Sequence, residues 1–276
     1  MRSRLVEAFA APRGERMDLV SARLQRMDFV SPRRQRKDFV SPRRQRGAAL
    51  LLLLAVASIG FAAVLIGAFG RSGVERLREQ RTLDRLAQAT DALIGYAALH
   101  GRLPRPAVSA TDGRESDEPC PDEAACSGFL PWVTLGVPGE DSWGKRLRYS
   151  VTPLYTRAPI LRITAVGTKQ VLTRDGSGEP RYVVGQEPCV QSAPCAPAVV
   201  YSQGPANLGT SVAGLPQANG ATNNLDEIDN DSATTVFYQR PASIDPRAPG
   251  GPFDDLLVAL PLATLYERMT AARALP

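Results

Sequence analysis

Hydrophobic and polar positions divide the chain into three zones. Residues 1–47 are polar and basic, 48–70 are apolar without interruption, and from 71 onward apolar and polar positions alternate over short intervals. The apolar zone reads AALLLLLAVASIGFAAVLIGAFG, with no charge, no Pro and nothing more polar than Ser58. At about 1.5 Å per residue, a helix of that length spans the ~30 Å hydrocarbon core of a bilayer, so the pattern predicts a transmembrane helix over 48–70. A secretory signal peptide has a shorter apolar core, about 7–15 residues, closed by a small-x-small site. Here Arg71 follows instead, and a helical pattern continues beyond it.

In that continuation, Val74, Leu77, Leu83, Leu86, Thr90, Leu93, Ile94 and Ala97 recur at spacings of three and four, which places them on one face of an amphipathic helix. Gly101 and Pro104 supply the stop signals. A helix with one apolar face in water needs a partner, and the strand candidates are short: 146–152, 160–166, 181–184, 198–202 and 234–238, each bounded by Gly, Pro or Asn. The stretch 204–231, rich in Gly, Asn, Ala and Ser, predicts a long surface loop. A last helix over 253–272 carries Leu256, Leu257, Leu260, Leu265 and Met269. The expected fold is α+β: a long N-terminal helix, transmembrane and then amphipathic, packed on a small antiparallel sheet with long loops. It follows a leader (1–47), a membrane span (48–70), a helical extension (71–101) and a globular domain (102–276).

Charge fixes the orientation of this arrangement. The whole chain of 276 residues has a formal net charge of +5, but residues 1–46 hold 13 Lys and Arg against 5 Asp and Glu, whereas the remainder holds 20 against 23. The basic character therefore belongs to the leader, and the globular part is a poor binder of nucleic acid. Arg43, Arg44 and Arg46, directly before the apolar run, place the N-terminus in the cytoplasm and the domain across the inner membrane, in the periplasm. The leader also contains RMDLVSARLQ, RMDFVSPRRQ and RKDFVSPRRQ head to tail from Arg16 to Gln45, a ten-residue repeat too short and polar to bury a core.

Four cysteines form two similar pairs, Cys120 with Cys126 and Cys189 with Cys195, each with five residues between. An even count beyond an export signal implies disulfides, and of three possible connectivities two local bridges are the simplest. A four-cysteine zinc site is the alternative, with a usual spacing tighter than this one. Asn224, Asp226, Asp229 and Asp231 fall within NNLDEIDND and offer hard oxygen ligands for Ca2+, although EF-hand spacing is not met and a solvated acidic turn is the competing reading. No catalytic residue is singled out. The lone His100 lies at a helix end, and no nucleophile elbow, phosphate loop or zinc-protease motif occurs. Trp132 and Trp143 flank a Gly/Pro-rich turn that they would pack onto the core.

A basic leader ending in Arg46 and Gly47, an uninterrupted apolar helix from Ala48, an amphipathic extension and a small sheet domain resemble the type IV pilins and type II secretion pseudopilins. The phrases ALIGYAALHGRLP, FLPWVTLGVPGEDSWGKRLRYSV, AVVYSQG and FDDLLVALPLATLYERM carry the likeness along the domain. The resemblance implies cleavage by a prepilin peptidase between Gly47 and Ala48, methylation of the new amine, and association with other pilins or pseudopilins through the hydrophobic helix. It also implies a place for calcium, which some pseudopilins bind in a C-terminal loop. Leu52 stands at the fifth mature position, where major pilins carry a Glu. The tip-type minor pseudopilin lacks that acid too, so the resemblance implies a subunit that primes or caps a filament, with a membrane-anchored periplasmic binding module as the alternative.

Overall fold

The computed structural model describes the backbone of residues 48–276 and the side chains of 50–61 and 73–276. The leader repeats and Gly47 lie outside the described residues, as do the side chains of 48, 49 and 62–70 in the apolar run. The chain divides into two compact units, Met1–Val56 and Ala57–Pro276.

Helix α1 runs from Ala48 to His100, 53 residues. In its apolar part the described side chains of 50–61 are exposed, Leu50 by 63% and Ile59 by 69%. Among the described residues, no helix is long and apolar enough to cross a membrane. The helix ends where Gly101 turns left-handed (φ 69°) and its N–H bonds back to the Ala97 carbonyl at 2.9 Å, a conformation open to Gly at no steric cost.

Around the far half of α1 the chain lays down β1 (Ser127–Phe129), α2 (Trp132–Leu135), β2 (Arg148–Val151), β3 (Gln170–Arg174), β4 (Pro180–Val184), β5 (Ala198–Ser202), α3 (Leu225–Ser232), β6 (Val236–Tyr238), β7 (Leu256–Ala259) and α4 (Leu262–Ala271). The architecture is mixed α and β. A four-stranded antiparallel sheet has the order β1-β2-β5-β7, and a three-stranded sheet has the order β4-β3-β6, in which β3 and β6 run parallel. Strand β5 is buried on both faces. Ala198 and Val200 join Leu86, Leu93 and Ala97 of α1 and Leu265 and Met269 of α4 in the main core, while Val199 and Tyr201 face Val171 and Phe237 of the second sheet. Two-residue alternation along one strand thus builds two cores.

Several expectations change. The buried stripe of α1 is Leu86, Thr90, Leu93, Ile94 and Ala97 with Thr82 and Ala89, whereas Val74, Leu77 and Leu83 are 42 to 52% exposed. The sheet packs only on the last turns, and there Thr82 is held by its own hydroxyl, which donates to Arg78 O and accepts from Ser142 N–H. Residues 160–166 form a turn rather than a strand: the N–H groups of Thr164 and Ala165 both bond to Leu161 O, at 2.9 and 2.8 Å. The alternation there finds no neighbouring edge, and Ile163 is left 86% exposed. The C-terminal helix begins at Leu262, not 253, because Pro261 disfavours helix before it and Leu256–Ala259 pairs with β5 instead. The long loop over 204–231 gives way to α3 at its end.

Both disulfides are local, Cys120 to Cys126 and Cys189 to Cys195. The first sits in the main core beside Lys169, which is fully buried and pairs with Glu123 inside that loop while donating to Thr234 O at 2.5 Å.

Candidate functional site

Helix α3 is built inside out. Leu225 and Ile228 are 55% and 39% exposed, while Asp226, Glu227 and Asn230 are buried. Two acids in a first turn favour the helix macrodipole, but their burial requires partners, and the two neighbours find different ones.

Asp226 points to arginines. Arg174 on β3 reaches its carboxylate with Nε at 3.0 and 3.1 Å and with a terminal nitrogen at 2.6 Å, and Arg240 adds Nε at 2.7 Å. Close approach of the chain before β7 completes the enclosure: Gly250 has φ 79°, and a Cβ there would lie 2.0 Å from Asp226 Oδ2. Asn230 ties the helix to both sheets, donating to Tyr238 O and to Asp255 Oδ2 and accepting from Tyr238 N–H at 2.7 Å.

Glu227 points the other way. Its carboxylate accepts from the Asp254 N–H at 2.9 Å and from the side-chain amides of Asn224 at 2.5 Å and Asn207 at 3.3 Å. One oxygen each of Glu227, Asp254 and Asp255 fall within 4.8 Å of one another. Burial, and after it the charge of Glu227, pushes the Asp254 carboxyl up to about 6. Burial also holds Asp255 well above the ordinary carboxylate range. Asp254 Oδ2 accepts from Ala206 N–H at 2.9 Å, and Oδ1 is buried with no hydrogen-bond partner among the described residues. It is packed against Gly204, where a Cβ would stand 2.1 Å from that oxygen.

Lys145 supplies the local positive charge. Its ammonium donates to Gln203 O at 3.2 Å and Asn207 O at 2.9 Å. Burial lowers its pKa, against the opposing pull of Asp254, Asp141, Asp255 and Glu227. Asp141 organises the turn that carries it, accepting from the N–H groups of Trp143 and Lys145 at 2.9 Å and from the Ser202 hydroxyl at 2.6 Å. Arg85 of α1 fixes the same turn by bonding Glu140 O and Asp141 O.

These groups border a cleft of about 530 Å³ whose lining includes Glu75 and Glu79 of α1, Trp143, Ile244, Phe253, Leu256, Glu227 and Asp254. Trp143 does not pack under the Gly/Pro turn; it lines the cleft and donates its indole N–H to Glu75 at 3.0 Å. Trp132 does pack under it, against Gly113 and Gly139, with Arg146 stacked on its ring at 4.0 Å.

The four predicted calcium ligands do not converge. They sit on and before α3 rather than in a loop. Asp226 is clamped by two guanidiniums, Asp231 accepts from the Gln203 amide at 2.6 Å, Asn224 is bonded to Asn219 and Glu227, and Asp229 is exposed. A cation at that set would have to displace both arginines. The acids that do converge include Asp254 and Asp255, which would fall in the first turn of the helix expected over 253–272 and instead precede strand β7. His100 stacks on Tyr96 at 4.0 Å at the end of α1, with its Nδ1 hydrogen-bonded to Tyr96 O.

Compared with family models, with curated proteins and with solved structures, the chain matches none.

Proposed function

We propose that this chain is a pilin-like structural subunit, held in the inner membrane by 48–70 with its C-terminal domain in the periplasm, that primes or caps a type IV pilus or type II secretion pseudopilus. The observation that carries the reading is the contrast along α1. Of the twelve residues 50–61, eight expose large apolar side chains (Leu50 to Leu54, Val56, Ile59 and Phe61), while the far half of the same helix buries its stripe in the domain core. Exposed Leu, Ile and Phe at this density need a cover, which lipid supplies in storage and neighbouring hydrophobic helices supply in a filament. Leu52 is among them, 67% exposed, and brings no carboxylate to pair with a neighbour's terminal amine. That favours a terminal position over repeated incorporation. The partners are a prepilin peptidase, acting between Gly47 and Ala48, and other pilins or pseudopilins.

N-terminal sequencing and intact mass of the mature protein test the reading. In cells with an active prepilin peptidase the protein is expected to begin at an N-methylated Ala48; an intact leader in such cells overturns it. The acidic cleft favours a second reading, a non-assembling periplasmic binding module on the same anchor, which predicts no co-purification with sheared filaments.

A further inference from the structure

We infer that the cleft beside α3 is a docking site for a basic, partly apolar peptide segment of a partner protein, an arginine or lysine meeting the carboxylates and an adjacent apolar side chain meeting Trp143 and Ile244. This goes beyond filament assembly and holds whether or not the leader is processed.

Charge is the first argument. Glu75, Glu79, Glu227 and Asp254 line the cleft, and none of its described lining residues is Lys, Arg or His. Of the cations beside it, Lys145 spends its donors on two backbone carbonyls, Arg78 pairs with Glu75 at 2.9 Å, and Arg240 is held by Asp226. Glu79 is exposed and has no ion-pair partner among the described residues. An anionic lipid headgroup or nucleic acid would be repelled, whereas a guanidinium or ammonium is drawn in.

The second argument is an aromatic face beside the acids. Asp254 Oδ1 is buried against Gly204, so an incoming cation meets the field of the Asp254 carboxylate rather than a bond to that oxygen. The ring of Trp143, tethered to Glu75, sets an aromatic face beside these acids, the combination that binds organic cations by cation–π attraction together with charge.

Size and rim decide between a peptide and a smaller cation. The volume of about 530 Å³ far exceeds what a metal ion fills, and both oxygens of Glu227 are already committed to amides and a backbone N–H. Ile244 at the rim is 97% exposed, and Phe253 and Leu256 add apolar wall. A bare amine would leave those surfaces uncovered, whereas a peptide covers them.

The test uses the full chain in detergent micelles and fluorescence anisotropy of a labelled hexapeptide, Gly-Arg-Phe-Arg-Leu-Gly. Saturable binding that weakens with salt is expected. Asp254→Asn should weaken it about tenfold and Glu79→Gln and Ile244→Ser each about threefold, in keeping with the loss of one charge-assisted or one rim contact. Circular dichroism checks each fold, and the two exposed positions keep the test decisive if Asp254→Asn unfolds. Equal binding of Gly-Glu-Phe-Glu-Leu-Gly, or affinity unchanged in all three variants, overturns the proposal. So does displacement of the peptide by agmatine at equal concentration, which would make this a small-cation site. Self-association of the chain abolished by Ile244→Ser would assign the face to a second copy and overturn it as well.

Discussion

Asp226 and Glu227 are chain neighbours in the first turn of α3, both almost wholly buried, yet they live in opposite electrostatic surroundings. Asp226 meets two guanidiniums and becomes part of the scaffold that joins β3, α3 and the approach to β7. Glu227 meets amides and two further carboxylates, beside a cleft whose described lining offers it no cation. Burial of charge is tolerated in the first region because the charge is neutralised by geometry. In the second it is tolerated by amide and backbone donors to Glu227 and by the Lys145 ammonium nearby, which leaves binding capacity unspent. The lesson is that an acid's sequence context does not distinguish a structural clamp from a receptive site; what faces it does.

The comparison breaks most visibly at the clamp. Replacing Arg240 by Met strips Asp226 of one partner and removes the donor that reaches Gly251 O at 2.6 Å. The expected loss is about 3 kcal/mol, the usual scale for unpairing a buried charge, read as a lower urea midpoint. An unchanged midpoint would mean that Arg174 alone suffices and that the clamp is redundant.

The cleft side should respond with the opposite sign. Asp254 faces Glu227 of α3, Asp255 of its own strand entry, and Lys145 and Asp141 of the turn before β2. Its folded pKa of about 6 lies above the unfolded value of about 4, so the folded state binds the proton more tightly. Stability contributed by that proton is present at acid pH and is lost as pH rises from about 4 through about 6. Asp254→Asn should therefore stabilise the chain by about 1 kcal/mol at pH 7.5, discounted for partial exposure, and by nearly nothing below pH 4. Urea midpoints across that range check it; a variant less stable at every pH would place Asp254 with the scaffold instead.

The smallest effect sharpens the contrast furthest. Glu79→Gln changes an exposed carboxylate of the cleft wall and should move the thermal midpoint by less than about 0.5 kcal/mol equivalent at any salt concentration. A clear loss of stability would show that this wall, too, is structural.

Much of the frame was legible along the chain. Leu86, Leu93, Ile94 and Ala97 share a helical face, Gly101 ends the helix, the strand at 198–202 stands where β5 does, and cysteines six apart bridge locally. These are short-range consequences of periodicity, a left-handed turn and loop closure. The apolar run at 256–265 read as part of one helix because helix and strand both accept such a run, and only Pro261 argued for dividing it. The site was less legible still. Its acids were visible, but they read as part of a surface loop, whereas in α3 Leu225 and Ile228 face outward and Asp226 and Glu227 are buried.

The sequence by itself determined the course of α1 and its stop at Gly101, which charges lie on which side of the apolar run, and that the cysteines fall into two local pairs. Only the tertiary structure decided which acids are neutralised. Arg174 lies 52 positions from Asp226, and Asp254 lies 27 from the Glu227 carboxylate that accepts its N–H. Electrostatic partnership acts through space at a few ångströms, and no local pattern encodes which distant residue will occupy that distance.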